Sequence, residues 1–317
     1  VVAALSAGWG LQFVAQAASD GQAQSGFGVS PFYQNVSLGE HQAQAHYTVT
    51  LTNNTASDQS FKLSTMDFGS LNDSGGVAFL GSATSSYAKK YGLAAWMKLD
   101  ADTVTVPQGK EAQIGVSILN ADSLTAGGHY GAILATALTA PNGQVVRPQV
   151  GVFAVLSSLI LLVKQGGAPP ALSVTKQASN GGWWRLPSLV TDQFSNDGGV
   201  HVVPRGLVEV RDPMGRVVER GAINEDSGII LPQMERKYVT PLLSLASARI
   251  PGTYTVVLSY RFDGAAGSRT FRSSYLYLGP LGLAIIGLVV ALVLGSAGYL
   301  VWRHRVSIMK RFSRRND

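Results

Sequence analysis

The chain has 317 residues, 46% of them apolar and only 14% charged, with 25 Lys and Arg against 19 Asp and Glu for a net charge of +6. It contains no cysteine, which excludes disulfides, thiolate metal sites and a cysteine nucleophile. Six of the basic residues and one acid lie between Arg303 and Asp317, so the rest is close to neutral and no basic patch points to nucleic acid.

Val1 to Ala18 is an apolar stretch ending in Ala15-Gln16-Ala17, the small-x-small pattern of a signal peptidase site. We read residues 1–18 as the remnant of a signal peptide, with a short mature N-terminal helix as the alternative. Ser19 to Ser25 is a polar spacer. A first domain is expected over residues 26–164. In it Tyr47, Val49 and Leu51 alternate with His46, Thr48 and Thr50, and Ala112, Ile114, Val116 and Ile118 alternate with polar or small residues. Period two with Val and Thr enrichment predicts half-buried antiparallel strands. Turns fall at Asn53-Asn54, Pro107-Gln108-Gly109 and Pro141-Asn142-Gly143, and Gly127-Gly128-His129-Tyr130 opens a further strand. Short strands with regular turns indicate a β-sandwich. Ser85 to Ala95, with Tyr87 and Tyr91 four apart, predicts a short helix. Val150 to Val163 carries no charge but is short for a membrane span, and is expected to be a buried strand or strand pair.

Residues 165–170 form a Gly/Pro linker. A second domain is expected over 171–279, with strands near Leu189–Phe194, Val200–Val203, Leu207–Arg211, Val217–Glu219, Ile229–Leu231 and Thr253–Tyr260. Turns are expected at Asn196-Asp197-Gly198-Gly199 and Asp212-Pro213-Met214-Gly215. Both domains carry a Gly-x-Tyr entering a strand, at Gly128-His129-Tyr130 and Gly252-Thr253-Tyr254, which hints at related sandwiches.

Leu281 to Trp302 has no charge and no Asn, Gln or Pro. As a helix it is roughly 33 Å long, matching the hydrocarbon core of a bilayer. Arg303, Arg305, Lys310, Arg311, Arg314 and Arg315 follow it, and basic residues after a span put that end in the cytoplasm. Tyr275, Tyr277, Tyr299 and Trp302 are placed as interfacial aromatics. The expected architecture is all-β: two tandem immunoglobulin-like sandwiches outside the cell, one transmembrane helix at 281–302, and a basic cytoplasmic tail at 303–317.

The order of motifs resembles a known family. Phe27-Gly28-Val29-Ser30-Pro31, Tyr47-x-Val49-x-Leu51-x-Asn53, Trp96-Met97-x-Leu99 and Gly127-Gly128-His129-Tyr130-Gly131-Ala132-Ile133 mark the first domain. Phe194-x-Asn196-x-Gly198, His201, Pro204, Gly206, Asp212-x-x-Gly215, Leu231-Pro232 and Pro251-Gly252-x-Tyr254 mark the second. With the span and basic tail, the chain is similar to the WxL-interacting proteins of Gram-positive cell surfaces. That resemblance implies a peptidoglycan-binding Ig-like domain, a second Ig-like domain of host-binding type, and partner surface proteins bearing a WxL domain. No WxL domain lies in this chain; Trp184-Arg185-Leu186 matches those three letters, a chance match in a chain with five tryptophans and many leucines.

No Gly-x-Ser-x-Gly elbow, Gly-x-Gly-x-x-Gly turn or Walker loop is present. His41 and His46 would face opposite ways on one strand. His129 reads as a turn residue and Asn224 to Gly228 as a solvated acidic turn. No enzyme activity, metal or cofactor is expected. Asn35-Val36-Ser37, Asn53-Asn54-Thr55 and Asn72-Asp73-Ser74 fit the N-glycosylation pattern, which a bacterial host would ignore. Two sets of residues are candidates for function. Tyr87, Lys89, Lys90, Tyr91 and Trp96 put aromatics beside cations, as sugar-polymer recognition would use, although Trp96 also suits a sandwich core. Gly287, Ala291 and Gly295 form a small-residue face for helix packing. The expected function is a membrane-anchored adhesion or scaffold protein that binds cell-wall polymer (peptidoglycan) or partner surface proteins. The alternative is an exported folding or assembly factor resembling pilus chaperones, which acts by β-strand addition.

Overall fold

The computed structural model describes residues 26–80, 86–138, 154–246, 250–265 and 267–313. The signal-peptide reading and the turn at Pro141-Asn142-Gly143 lie outside them.

The described chain is mostly β-strand, with one long apolar helix at the C-terminal end. Strands of the first unit are β1 (Phe27–Ser30), β2 (Tyr33–Leu38), β3 (Gln44–Asn53), β4 (Gln59–Ser70) and β5 (Val77–Leu80). After a short helix α1 (Ser86–Tyr91) come β6 (Met97–Leu99), β7 (Thr103–Val106), β8 (Glu111–Leu119), β9 (Gly127–Ala137) and β10 (Val155–Lys164). One sheet has the order β1-β3-β8-β6; the other has β2-β10-β9-β4-β5, with β7 also pairing β4. The chain passes from one sheet to the other between β1 and β2, at Pro31. The predicted alternation is realised: Ala45, Tyr47, Val49 and Leu51 of β3 face Ile114, Val116 and Ile118 of β8 and the second sheet in one core.

The second sheet is apolar on both faces. Phe61, Leu63, Ile133, Ile160 and Leu162 point into that core. Phe68, Tyr130, Leu134, Leu159 and Leu161 point out and form a separate buried cluster. Two-sided burial gives a continuous apolar run rather than alternation, which is why the run ending at Val163 resembled a membrane segment. Its described part is the single strand β10, paired antiparallel with β9 and parallel with β2.

The second unit contains β11 (Leu172–Ser179), β12 (Leu189–Asn196), β13 (Arg205–Arg211), β14 (Val217–Ile223), β15 (Glu235–Pro241), β16 (Leu243–Ser244), β17 (Gly252–Arg261) and β18 (Arg269–Tyr277). Its sheets are β11-β12-β15 and β16-β14-β13-β17-β18, closed over one core that includes Val190, Phe194, Val208, Val210, Tyr254 and Leu258. The segments expected as strands at Val200–Val203 and Ile229–Leu231 form only one bridge, Val202 to Ile230. Three strands carried too weak a pattern to be expected. β11, β15 and β18 are rich in polar and charged residues, because each presents one face to solvent.

A buried asparagine closes each sandwich in the same way. Asn53, at the end of β3, donates to the Ser57 and Val106 carbonyls and accepts from the Thr55 N–H. Asn196, at the end of β12, donates to the Val200 and Ile230 carbonyls and accepts from the Gly198 N–H. Both are fully buried, so the sequon at Asn53 presents no acceptor to a modifying enzyme. The two Gly-x-Tyr tyrosines are not equivalent: Tyr254 lies inside its sandwich, whereas Tyr130 lies on the outer face of the two-sided sheet.

Helix α2 runs Gly279–Ser313, longer at both ends than the expected 281–302. Its Gly279–Arg305 portion is long and apolar enough to cross a membrane, and only 6% of its most apolar window is buried, so no core of described residues covers it.

Candidate functional site

The two sandwiches are tied together at two places. At one, the tip of the β4–β5 hairpin meets β15: Lys237 donates its backbone N–H to the Asp73 carbonyl at 2.6 Å and pairs through its ammonium with the Asp73 carboxylate. Arg236 beside it covers Gly75, whose φ of +86° is a conformation that favours glycine. At the other, glycines approach neighbouring backbone at three points. Gly128 donates to the Gly199 carbonyl at 2.8 Å. A Cβ at Gly167 would lie 2.4 Å from the Gly127 Cα, and one at Gly199 would lie 2.8 Å from the Ala168 carbonyl oxygen. Backbones this close admit only glycine.

Between the two ties lies a cleft of about 280 Å³. Its floor is the outer face of β10 (Leu159, Leu161) with Phe68, and Phe32 and Tyr33 form one lip. The opposite wall is the turn Asp226–Ile229 of the second sandwich, with Arg236 as its cation. A second hollow of about 220 Å³ shares Tyr33 and Ile229 with the first and continues it past Asn35 to His201 and Asp263. Burial pushes the His201 imidazole down to about 4, against the pull of Asp263, so it is neutral at physiological pH. Tyr130 abuts it, with ring centroids 5.8 Å apart, and burial raises its phenol. The cleft is therefore apolar, with polarity confined to its ends.

One edge of the two-sided sheet leads into this cleft. β2 covers β10 only from Leu159 to Lys164. The preceding residues Val155–Ser158 pair with β9 on one side and, among the described residues, with no strand on the other. Leu159 donates its N–H to Phe32 on the β2 side. Strand alternation then aims the N–H and C=O of Val155 and Ser157 to that same open side. Val155 is exposed. The unpaired edge and the apolar floor meet at Leu159.

The sequence-derived candidates fall elsewhere. Tyr87 and Tyr91 on α1 pack with ring centroids 4.9 Å apart and planes tilted by 39°, and turn inward onto the outer face of the sheet, with burial raising the Tyr87 phenol. Their helical spacing serves packing. Lys89, Lys90 and Trp96 do converge, lining a hollow of about 310 Å³ with Ser123, Thr125 and His129. Trp96 donates its indole N–H to Ser123 and packs partly against the first core. His129 is not a turn residue but a buried strand residue, its ring nitrogens 3.0 and 2.8 Å from the Gly92 and Thr125 carbonyls. Asn224 closes its turn through the Pro204 and Gly228 carbonyls, and no group of three His, Asp or Glu residues among those described could hold a metal ion. Among the described residues nothing comes within 4 Å of a Cβ placed at Gly287 or Gly295, and Ala291 is exposed, so that helix face is open. Sequence reading missed Phe32, Tyr33, Leu159, Ile229 and Arg236. The available signal was the uninterrupted apolar run of β10, which marks a strand covered on both faces.

Tandem β-sandwiches joined at a cleft define a broad architectural class. No protein-family model matches the sequence, and no curated protein is significantly similar to it. Among solved structures the chain is similar to one in the chaperone–tip adhesin complex of CFA/I fimbriae biogenesis, with 11% identity, 79% of this chain and 98% of that one covered, and a TM-score of 0.44. The class 5 fimbriae chaperone CfaA gives 11% identity, coverage of 79% and 99%, and a TM-score of 0.43. The CsuC–CsuE chaperone–tip adhesion subunit complex of Acinetobacter baumannii gives 9%, 78% and 97%, and 0.37. These similarities are in general architecture alone.

The expectation of an adhesion or scaffold protein holding cell-wall polymer is corrected. The paired tyrosines offered for polymer contact are packing residues on the outer face of the sheet, Tyr91 buried and Tyr87 partly buried.

Proposed function

We propose that the chain is an assembly factor that holds an extended segment of another exported polypeptide by β-strand addition. The segment pairs with the open edge of β10 at Val155 and Ser157, and its apolar side chains enter the cleft floored by Leu159 and Leu161. The observation that carries this reading is the edge of Val155–Ser158, uncharged and, among the described residues, paired with no strand on its open side, which runs into an apolar cleft. Main-chain pairing supplies affinity in such a mode and side-chain pockets supply selectivity. An exposed edge of this kind is ordinarily blunted in proteins that have no partner for it. On this reading α2 crosses the membrane with the sandwiches outside and Arg303 and Arg305 on the cytoplasmic side, which the basic residues after the span support. The motif order shared with WxL-interacting proteins supports a surface protein as the partner.

A photo-crosslinking residue at Val155 in the full chain, activated in intact cells, is expected to give discrete protein adducts. Ser157→Pro, which removes an N–H on the open side without touching the β9 ladder, is expected to abolish them. A crosslinker at Leu243, an exposed position on the second sandwich, is expected to give none of these adducts. Adducts that survive Ser157→Pro, or that arise equally from Leu243, overturn the proposal.

A further inference from the structure

The loop between β11 and β12 carries two adjacent tryptophans that the cleft does not use. Trp183 and Trp184 are 57% and 59% exposed, and their rings stack with centroids 6.0 Å apart. Two bare indoles on a loop cost solvation unless something covers them. Their position identifies the cover. The Trp183 carbonyl accepts the N–H of Leu278 at 2.7 Å and that of Gly279 at 3.0 Å. Those are the last residue before α2 and its first residue. The loop is thus bolted to the point where the apolar helix leaves the sandwich.

The helix is held from another direction as well. A Cβ at Gly282 would lie 3.3 Å from the Pro251 side chain, so the first turn of α2 rests against the loop that precedes β17. The Tyr277 phenol crowds Gly279, where φ is +61°. Loop, helix start and β18 therefore keep one level relative to one another. From Gly279 to Trp302 the helix rises about 35 Å, enough for the hydrocarbon core with Gly279 at its outer boundary. A residue whose carbonyl touches Gly279 lies at that boundary too. It is the layer where tryptophan is enriched, because the ring is apolar and its N–H still finds a polar partner. Tyr299 and Trp302 stand at the opposite boundary of the same helix, 6.0 Å apart.

We propose that the Trp183–Trp184 loop inserts into the interfacial layer of the bilayer that α2 spans, so that the second sandwich sits on the membrane surface in a fixed pose. Arg185, exposed beside the pair, reaches the same layer and suits anionic headgroups. The consequence for the cleft is orientational: it is presented at a set height and direction above the bilayer. The inference rests on α2 being a membrane span, and the test separates the two ideas.

The full chain carrying Trp9→Phe and Trp302→Phe, which leaves Trp96, Trp183 and Trp184, is reconstituted into phosphatidylcholine–phosphatidylglycerol vesicles. Half of the preparations use lipids brominated near the top of the acyl chains. Emission is expected to fall about twofold in the brominated vesicles, since two of the three remaining indoles lie in the interface. Adding Trp183→Phe and Trp184→Phe, which keep the backbone carbonyl and an exposed ring, is expected to leave the residual Trp96 emission indifferent to bromine. Unchanged emission from a chain that co-floats with the vesicles overturns the insertion of the loop while leaving the span in place. A chain that fails to float with vesicles overturns both.

Discussion

The two sandwiches share one construction and differ in what they leave unfinished. In the second, β12 buries every other residue and shows the rest to a polar face, and its outermost strands are guarded. β11 carries a bulge between Val174 and Lys176, β18 bears Arg269 and Arg272, and β16 is two residues long. Each is a recognised way of discouraging another strand from docking. In the first, β9 is buried at ten of eleven positions because both of its faces are covered, and the open end of β10 has neither charge nor bulge. Folding alone does not require that difference, since the second unit shows that the same architecture can be closed. On the proposed function, this unguarded edge beside an apolar cleft is the one that takes the partner strand.

That comparison can be broken most directly at the shared asparagines. Asn53→Ala and Asn196→Ala each remove two donated bonds to buried carbonyls and should cost about 3 kcal/mol apiece. The loss should be similar in the two units if they are one construction used twice, measured by denaturant midpoints of the full chain in detergent. A loss confined to one unit would mean that the likeness is superficial.

Next in size are two ionisable groups of the second unit that burial shifts, Asp192 and His201. Burial pushes the Asp192 carboxyl up to about 6, with the Gln177 amide pulling the other way, and its Oδ2 has no partner among the described residues. The folded chain then holds a proton that the unfolded chain, with an ordinary Asp value near 4, has released. This group's contribution to stability falls as pH rises from about 4 to about 6. His201 runs the other way. Its folded value of about 4 lies below the ordinary value near 6.5, so the unfolded chain binds the extra proton and stability falls as pH drops through that range. Each effect is on the order of 2–3 kcal/mol, and they nearly cancel between about pH 4.5 and 6. Asp192→Asn is expected to raise stability at pH 7 by about 2 kcal/mol and to expose a steep acid loss. His201→Phe is expected to leave stability falling with rising pH in the same window. Parallel profiles for the two variants would refute the assignment.

The smallest stability effect carries the sharpest functional contrast. Val155→Lys places a charge on the open edge and should change stability by less than about 0.5 kcal/mol, since the site is exposed. It should nevertheless abolish partner capture. The inward neighbour Ile160, fully buried, should cost about 3 kcal/mol on conversion to Ala. A Val155→Lys chain that still captures its partner would mean that this edge is not the docking strand.

Much was legible without coordinates. Alternation along Ala45–Leu51 and Ala112–Ile118 specified strands because a half-buried sheet imposes period two on side-chain polarity. The uncharged Leu281–Trp302 run specified a helix suited to a bilayer because length and hydropathy are properties of the chain itself. The strands β11, β15 and β18 were hidden because a strand with one wet face and several charges has no local signature stronger than a loop's. Tyr87 and Tyr91 were misread for a related reason. Spacing of four puts two rings on one side of a helix but says nothing about whether that side faces solvent or a sheet.

Sequence by itself therefore determined the classes of element present and the apolar C-terminal helix, because propensity, periodicity and hydropathy act over a few neighbouring residues. Only the tertiary structure decided which face of the β4–β10 sheet was left to form the cleft, that β2 stops short of Val155, and that Trp183 touches Gly279. Those facts depend on contacts between residues dozens to more than a hundred positions apart, and no local pattern encodes them.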